Sequence, residues 1–192
     1  MLPNSENITK VRNKFLVLSF LIWLIPFCAR IPMNISYNDL SESGNIDNNA
    51  LSTLYETLRT CSSSDAFILV FKNNIRTCII NVCGGVSLGI CTVVNLAYNG
   101  FATSDMFVNS YKSGFPIADI LKTTLPHSFE LIGFWLSGTM GFMIAYQLVL
   151  FMKGREERLN AFIKQMVILA VIVFFTTLCA AYVETHISIN ML

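Results

Sequence analysis

Charged residues are scarce in this chain. They make up 13% of its 192 residues, whereas hydrophobic residues make up 54%, and the mean hydropathy is +0.58. A single soluble domain of this length normally carries more charge, so the composition predicts a membrane protein. The formal net charge is only +1, which gives no reason to expect a nucleic acid as a partner.

Motifs for cofactor binding and for catalysis are also missing. The Gly84-Gly85 pair has no lysine within reach after it, which excludes a phosphate-binding loop. The sequence contains no serine nucleophile elbow, and five of its six cysteines lie in apolar segments without metal-type spacing. We therefore expect no cofactor, no bound metal and no enzymatic activity, so any energy must come from a partner.

Apolar runs of membrane length define the fold class. There are four such runs, although the first is long enough for only about 22 Å of helix; they are 15–29, 77–101, 131–152 and 165–183. The stretch 102–125 mixes charged residues with Gly114 and Pro116. It predicts either a pair of short re-entrant helices, at 104–111 and 117–124, or one discontinuous crossing.

The position of basic residues predicts the topology. Residues 10–14 and the loop 153–164 are the two basic segments, and both should face the cytoplasm. They lie on the same side only if 102–125 crosses the membrane once more. The sequence therefore predicts an all-α polytopic protein with about five crossings, one of them discontinuous. Its amino terminus is expected in the cytoplasm and its carboxyl terminus outside.

An acidic, turn-rich segment, 31–66, separates the first two apolar runs and is expected outside the membrane. Apolar residues at helical spacing predict a short amphipathic helix at 49–60 within it. An interfacial helix then leads into the second run through a polar elbow at 72–76. The chain thus divides into a basic segment with an anchor helix (1–30), the acidic loop, and a membrane domain (67–192).

Small residues recur at every fourth position in two of the apolar runs. They are Gly85 and Gly89 in the second run, and Gly133, Ser137 and Gly141 in the third. This spacing lets the backbones of membrane helices approach closely. We expect the two stripes to pack against each other, either within one subunit or between the subunits of a homo-oligomer.

A histidine and a carboxylate lie immediately before the third apolar run. Pro126 suits the first helical position, so His127 and Glu130 would share one face of the first turn. Ionisable groups at a membrane helix are functional candidates, and Asn99 and Asn81 supply donors on the second run. We predict a functional polar cluster of these four residues. The alternative is that Glu130 only complements the helix N-terminus while His127 caps a neighbouring backbone group.

Three blocks of sequence follow one another in a fixed order. They are FKNNIR at 71–76, a glycine-rich span that ends with NGF at 99–101, and LPHSFE at 125–130 before a second glycine-bearing span. Together they resemble the integral membrane family of stage II sporulation protein M, over roughly 67–185. The chain departs from the family at Ser128, where members typically have glycine. The resemblance implies a polytopic partner protein of the bacterial cell membrane.

The favoured functional hypothesis follows from that resemblance. Similar proteins are encoded with small ABC-type ATPases in gene clusters for circular bacteriocins, where they serve maturation or export. We expect a non-enzymatic subunit that contacts membrane lipid, other membrane subunits, an ATPase and a hydrophobic peptide cargo. The ATPase is expected to dock on the basic residues of one loop, which are Lys153, Arg155, Arg158 and Lys164.

Two other hypotheses remain open from the sequence. Family members also anchor peptidoglycan-remodelling proteins during engulfment in sporulation, so the chain is alternatively a scaffold that recruits wall enzymes. The third hypothesis is an intramembrane peptidase or ligase that uses His127 and Glu130. Its weakness is the lack of a nucleophile or a third metal ligand near this pair.

Overall fold

A computed structural model of the protein describes residues 5–33, 63–124, 128–154 and 159–188, and every regular element among them is helical. The helices are α1 (Ser5–Arg30), α2 (Ser63–Cys83), α3 (Ile90–Lys112), α4 (Ile117–Thr124), α5 (Ser128–Met152) and α6 (Leu159–Val183). A 3-10 turn, Gly84–Ser87, joins α2 to α3, and a π-helical turn, Glu184–Ser188, follows α6. The prediction of an all-α protein is confirmed.

Four stretches of helix are long and apolar enough to cross a membrane. They are Ile8–Arg30, Ser64–Ser87, Ser128–Met152 and Leu159–His186. Helix α3, with 23 residues, is a fifth helix of comparable length. The chain is therefore a polytopic helical membrane protein, as its composition predicts.

The predicted single span 77–101 is wrong, because this uncharged stretch is broken at 84–89. Leu88 and Gly89 both take positive φ angles, of 55° and 88°, and their N–H groups donate to the carbonyls of Gly85 and Gly84 at 3.1 and 3.0 Å. Gly84 lies against the backbone nitrogen of Thr92, where a Cβ would come within 2.5 Å. A break of this kind cannot be recognised from hydrophobicity along the sequence, since every residue in it is apolar or small.

The other irregular features also lie elsewhere than predicted. There is no elbow at 72–76, because α2 runs continuously through it. The predicted discontinuous crossing at 102–125 is wrong as well, because α3 continues through the first part of this stretch to Lys112. Gly114, just after the helix, has a φ of 89° that suits a helix C-terminus. The short helix predicted at 117–124 is confirmed as α4.

Helices α2 and α3 form an antiparallel hairpin around the break. The side-chain amide of Asn95 in α3 donates to the carbonyl of Thr77 and to the side chain of Asn81 in α2, at 3.3 and 2.8 Å. Thr77 and Asn81 lie shortly before the break and Asn95 lies shortly after it, so the two helices run back along each other. Both ends of the hairpin therefore lie at the same end of the bundle.

Helix α5 is the centre of the bundle. Of its membrane-length stretch 56% is buried, against 11% to 28% for the other three stretches. It runs antiparallel to α1, since Phe15 contacts Phe142 and Trp23 contacts Trp135. It runs parallel to α2, since Asn81 bonds to Ser137 and Gly85, just after α2, lies against the carbonyl of Gly141.

Glycines let these helices touch through their backbones. A Cβ on Gly141 would collide with the carbonyl of Asn81, and a Cβ on Gly85 would come within 2.5 Å of the carbonyl of Gly141. A Cβ on Gly89 would lie 3.1 Å from the Phe142 ring. A Cβ on Gly133 would instead lie 3.1 Å from Thr177 of α6. The two small-residue stripes thus meet within one subunit at Gly85 and Gly141.

We expect Gly141→Ala to lower the free energy of unfolding by about 1–3 kcal/mol, because the added methyl group meets backbone that cannot move aside. Gly133→Ala is the matched control in the same helix, with the same gain in helix propensity. The atoms nearest to its methyl group would all be side-chain atoms, the closest being Thr177 Cγ2 at 3.1 Å. Unfolding in detergent micelles measures both variants. Equal losses would contradict a backbone contact at Gly141.

Candidate functional site

Asn81 is the centre of a hydrogen-bonded cluster between α2, α3 and α5. Its side chain is fully buried. Its Nδ2 donates to Ser137 Oγ at 3.0 Å and to the carbonyl of Phe134 at 3.3 Å. Its Oδ1 accepts the bond from Asn95 Nδ2 at 2.8 Å. All the polar atoms of this side chain therefore have partners.

Asn95 joins the two predicted asparagines, and sequence reasoning missed it. Asn99 Nδ2 donates to the carbonyl of Asn95 at 2.7 Å and lies 3.4 Å from its Oδ1. Asn99 thus reaches Asn81 only through Asn95. The signal was present in the sequence, because Asn95 and Asn99 are four residues apart in the same uncharged run.

Hydroxyl groups complete the bonding where the hairpin turns. Thr92 Oγ1 donates to the carbonyl of Asn81 at 2.8 Å. Ser87 Oγ donates to the carbonyl of Gly84 at 2.8 Å and accepts a bond from the N–H of Cys91 at 3.1 Å. These bonds occupy backbone groups that a continuous helix would have paired internally.

Of the predicted pair at the mouth of α5, the structure describes Glu130 and not His127, which lies outside the described residues. Glu130 is half-buried in the first turn of α5. The buried Cys78 lies within range of its charge and within hydrogen-bonding reach of Ser137. The charge of Glu130 thus acts on the α2–α5 interface, to which Asn81 also belongs.

A second polar centre, which the sequence did not suggest, ties α1 to α3. Arg30 is 1% exposed; its Nε and Nη2 lie 2.7 and 2.6 Å from Asp105 Oδ1. Its Nη1 donates to the carbonyl of Met33 at 2.8 Å, and its guanidinium lies 5.8 Å from the centre of the Phe101 ring. Asn109 Nδ2 donates to Asp105 Oδ2 at 3.0 Å. Both members of the ion pair thus have a further hydrogen-bond partner.

The two basic segments lie at the end of the bundle opposite the Arg30–Asp105 ion pair. Lys153 is exposed just after α5, and Lys164 is exposed in the first turns of α6; Arg155 and Arg158 lie outside the described residues. Arg12 Nη1 donates to Gln165 Oε1 at 3.1 Å, which places the amino-terminal basic segment at this same end.

The chemistry available in the described cluster is amide and hydroxyl hydrogen bonding. Among the described residues no group of three or more histidine, cysteine and acidic side chains is placed to hold a metal ion. Asn81, Asn95, Thr92 and Ser137 bond to one another or to backbone carbonyls. Such a network holds helices in register.

Comparison with known proteins gives three findings. A family model described as "Stage II sporulation protein M" matches residues 15–189. The chain is 26% identical over 125 residues to an uncharacterized protein of Methanocaldococcus jannaschii, which covers 64% of this chain and 70% of that protein. No solved structure matches the chain.

We expect Asn95→Leu to cost about 1–2 kcal/mol of stability, because it strands Asn81 Oδ1 in an interior without water. Val94→Leu, on the exposed face of the same helix, is the control and should leave stability unchanged. Unfolding in detergent micelles again gives both values. If the two variants are equally stable, the asparagine cluster does not hold the hairpin to α5.

We expect Asp105→Ala to cost about 3–5 kcal/mol, because it removes the carboxylate that neutralises the buried Arg30 charge. The double variant Arg30→Met with Asp105→Leu should be more stable than Asp105→Ala alone, since no unpaired charge remains. Lys72→Met, an exposed charge on α2, controls for charge loss. Thermal unfolding of the detergent-solubilised protein ranks the variants. A double variant less stable than Asp105→Ala would contradict the pairing.

Proposed function

The chain belongs to the stage II sporulation protein M family, and on that premise we propose that it is a non-enzymatic membrane subunit of a multiprotein complex. In this proposal the complex exports or matures a hydrophobic peptide of the circular bacteriocin type. An ABC-type ATPase supplies the energy. The match over 15–189 confirms the family resemblance seen in the sequence, whereas the peptide and the ATPase are parts of the proposal.

The main support for a non-enzymatic role is that the polar groups of the interior cluster are already hydrogen-bonded within the chain. Every polar atom of the Asn81 side chain is bonded within the chain, and the carbonyl of Asn81 accepts from Thr92. A catalytic group must instead keep a donor or an acceptor free for its substrate. The cluster therefore fits a structural role. In this proposal, partner proteins provide the activity of the complex.

The arrangement of charge supports an orientation in the bacterial cell membrane. The amino-terminal basic segment and the Lys153 loop lie at one end of the bundle, joined by the bond from Arg12 to Gln165. Loops rich in lysine and arginine remain in the cytoplasm. We propose that this end is cytoplasmic. The acidic segment 31–66 follows the other end of α1, and α6 leads the carboxyl terminus to that outer side.

A partner ATPase is proposed to dock on the basic end. The turn after α5 exposes Lys153 beside Phe151 and Met152, which are 80% and 76% exposed. Lys164 stands exposed at the start of α6, on the other side of the loop. An acidic patch with an apolar centre on the ATPase would match such a surface.

The proposal predicts that Arg155→Ala with Arg158→Ala reduces co-purification of the ATPase and release of mature peptide from cells, because it removes two charges from the docking loop. The control is Lys72→Ala with Arg76→Ala, two exposed charges of α2 at the opposite end. Co-purification that survives the first pair unchanged would contradict docking at this loop.

Deletion of 39–47 in the same assays separates the proposal from the scaffold alternative. A transport subunit should keep both its ATPase and its peptide release after this deletion. A scaffold that recruits wall enzymes through the acidic segment should lose its partner. That second outcome would overturn the transport role while leaving the family assignment intact.

A further inference from the structure

The turn between α2 and α3 lies within a stretch that carries no charge. No aspartate, glutamate, lysine or arginine occurs from 77 to 104, and the turn at 84–89 is near the middle of it. A turn that emerges into water on the cytoplasmic side of a membrane usually carries polar or basic residues. This turn instead presents Val86, Leu88 and Ile90, of which Val86 is 74% exposed.

The turn also lies less than the thickness of a bilayer from the Arg30–Asp105 ion pair. From Asp105, at the level of the Arg30 ion pair, α3 extends back to Ile90 over about 23 Å at 1.5 Å per residue. A hydrocarbon core is about 30 Å thick.

Contacts fix the depth of the turn independently. Gly85 lies against Gly141 and Ile144, and Gly89 lies against Phe142 and Ala145. Helix α5 continues beyond this level to Met152, about 10 Å farther on at 1.5 Å per residue. The turn thus stops within the apolar length of α5 and short of Lys153.

We propose that α2 and α3 form a re-entrant hairpin whose tip, residues 84–90, is inserted among lipid acyl chains in the leaflet on the Lys153 side. The tip does not emerge into water on that side. The exposed side chains of Val86, Leu88 and Ile90 are the surface that contacts lipid. Only α1, α5 and α6 then cross the whole bilayer.

The bonding of the turn makes this placement feasible. Irregular backbone at membrane depth is tolerated where protein covers it. Gly84, Gly85 and Gly89 are buried against α3 and α5, and the carbonyl of Gly84 accepts bonds from Ser87 Oγ and the Gly89 N–H. The three glycines face the protein, while the apolar side chains of Val86, Leu88 and Ile90 face outward. This inference is independent of the peptide cargo and of the ATPase.

Two native cysteines make it possible to measure whether the tip is exposed to water, without any substitution in the tip. Cys83 and Cys91 flank it, and both are exposed. The full chain, reconstituted in lipid nanodiscs that leave both membrane faces open, is treated with a charged maleimide, and mass spectrometry measures alkylation at each cysteine. Lys153→Cys provides the aqueous reference in the same molecule. Cys179, exposed on α6, provides the lipid-facing reference.

We expect Cys83 and Cys91 to react at least about tenfold more slowly than Lys153→Cys, because a thiol in hydrocarbon stays protonated and meets no charged reagent. Their rates should resemble that of Cys179, and a neutral, lipid-soluble maleimide should remove the difference. Rates at the tip that equal the rate at Lys153→Cys would overturn the inference, since the turn would then lie in water.

Slow labelling alone does not distinguish lipid from a covering protein. A photoreactive amino acid in place of Val86 resolves the two, because Val86 is the most exposed tip residue. Cross-links to phospholipid support insertion among acyl chains. Cross-links to a second copy of the chain or to a partner protein would overturn it.

Discussion

A helix that breaks inside a bilayer leaves backbone N–H and C=O groups that no water can reach, at a cost of about 1–3 kcal/mol for each unpaired group. The break at 84–89 imposes this constraint on the chain. Thr92 pairs with the carbonyl of Asn81, and Ser87 pairs with that of Gly84. Gly141 must remain small, because the carbonyl of Asn81 lies where its Cβ would stand. These positions act together: each one allows the backbone of the hairpin to lie against α5.

The two polar centres contribute differently to stability. Hydrogen bonds between membrane helices contribute about 0.6 kcal/mol each on average, so the asparagine cluster gives a few bonds of modest strength and a defined register between α2, α3 and α5. The Arg30–Asp105 pair differs because Arg30 is buried. Loss of one partner from a buried pair costs about 3–5 kcal/mol. The ion pair therefore has the larger effect on whether α1 and α3 assemble, and the asparagines have the larger effect on how the hairpin is aligned.

The sequence predicts the class of the fold because the bilayer requires long apolar helices, and composition records them. It also places Gly85 and Gly141 on packing faces, since four-residue spacing is a local property of one helix. It does not predict the break at 84–89, because Val86, Leu88 and Ile90 continue the hydrophobic pattern through it. The ion pair of Arg30 with Asp105 could not be predicted from the sequence either, because it joins residues 75 positions apart and depends on how α1 packs against α3.

The packing around α5 limits how this protein can serve a hydrophobic cargo. Between α2 and α5 the backbones touch at Gly85 and Gly141, and the bonds of Asn81 to Ser137 and Asn95 close the same interface. A peptide that passed between these helices would have to break those bonds and expose their groups to hydrocarbon, which costs free energy for every group left unpaired. If the chain takes part in peptide export, the cargo must therefore meet its outer surface. The cargo pathway then lies between this subunit and its partners, which accounts for a rigid interior together with an exposed basic end.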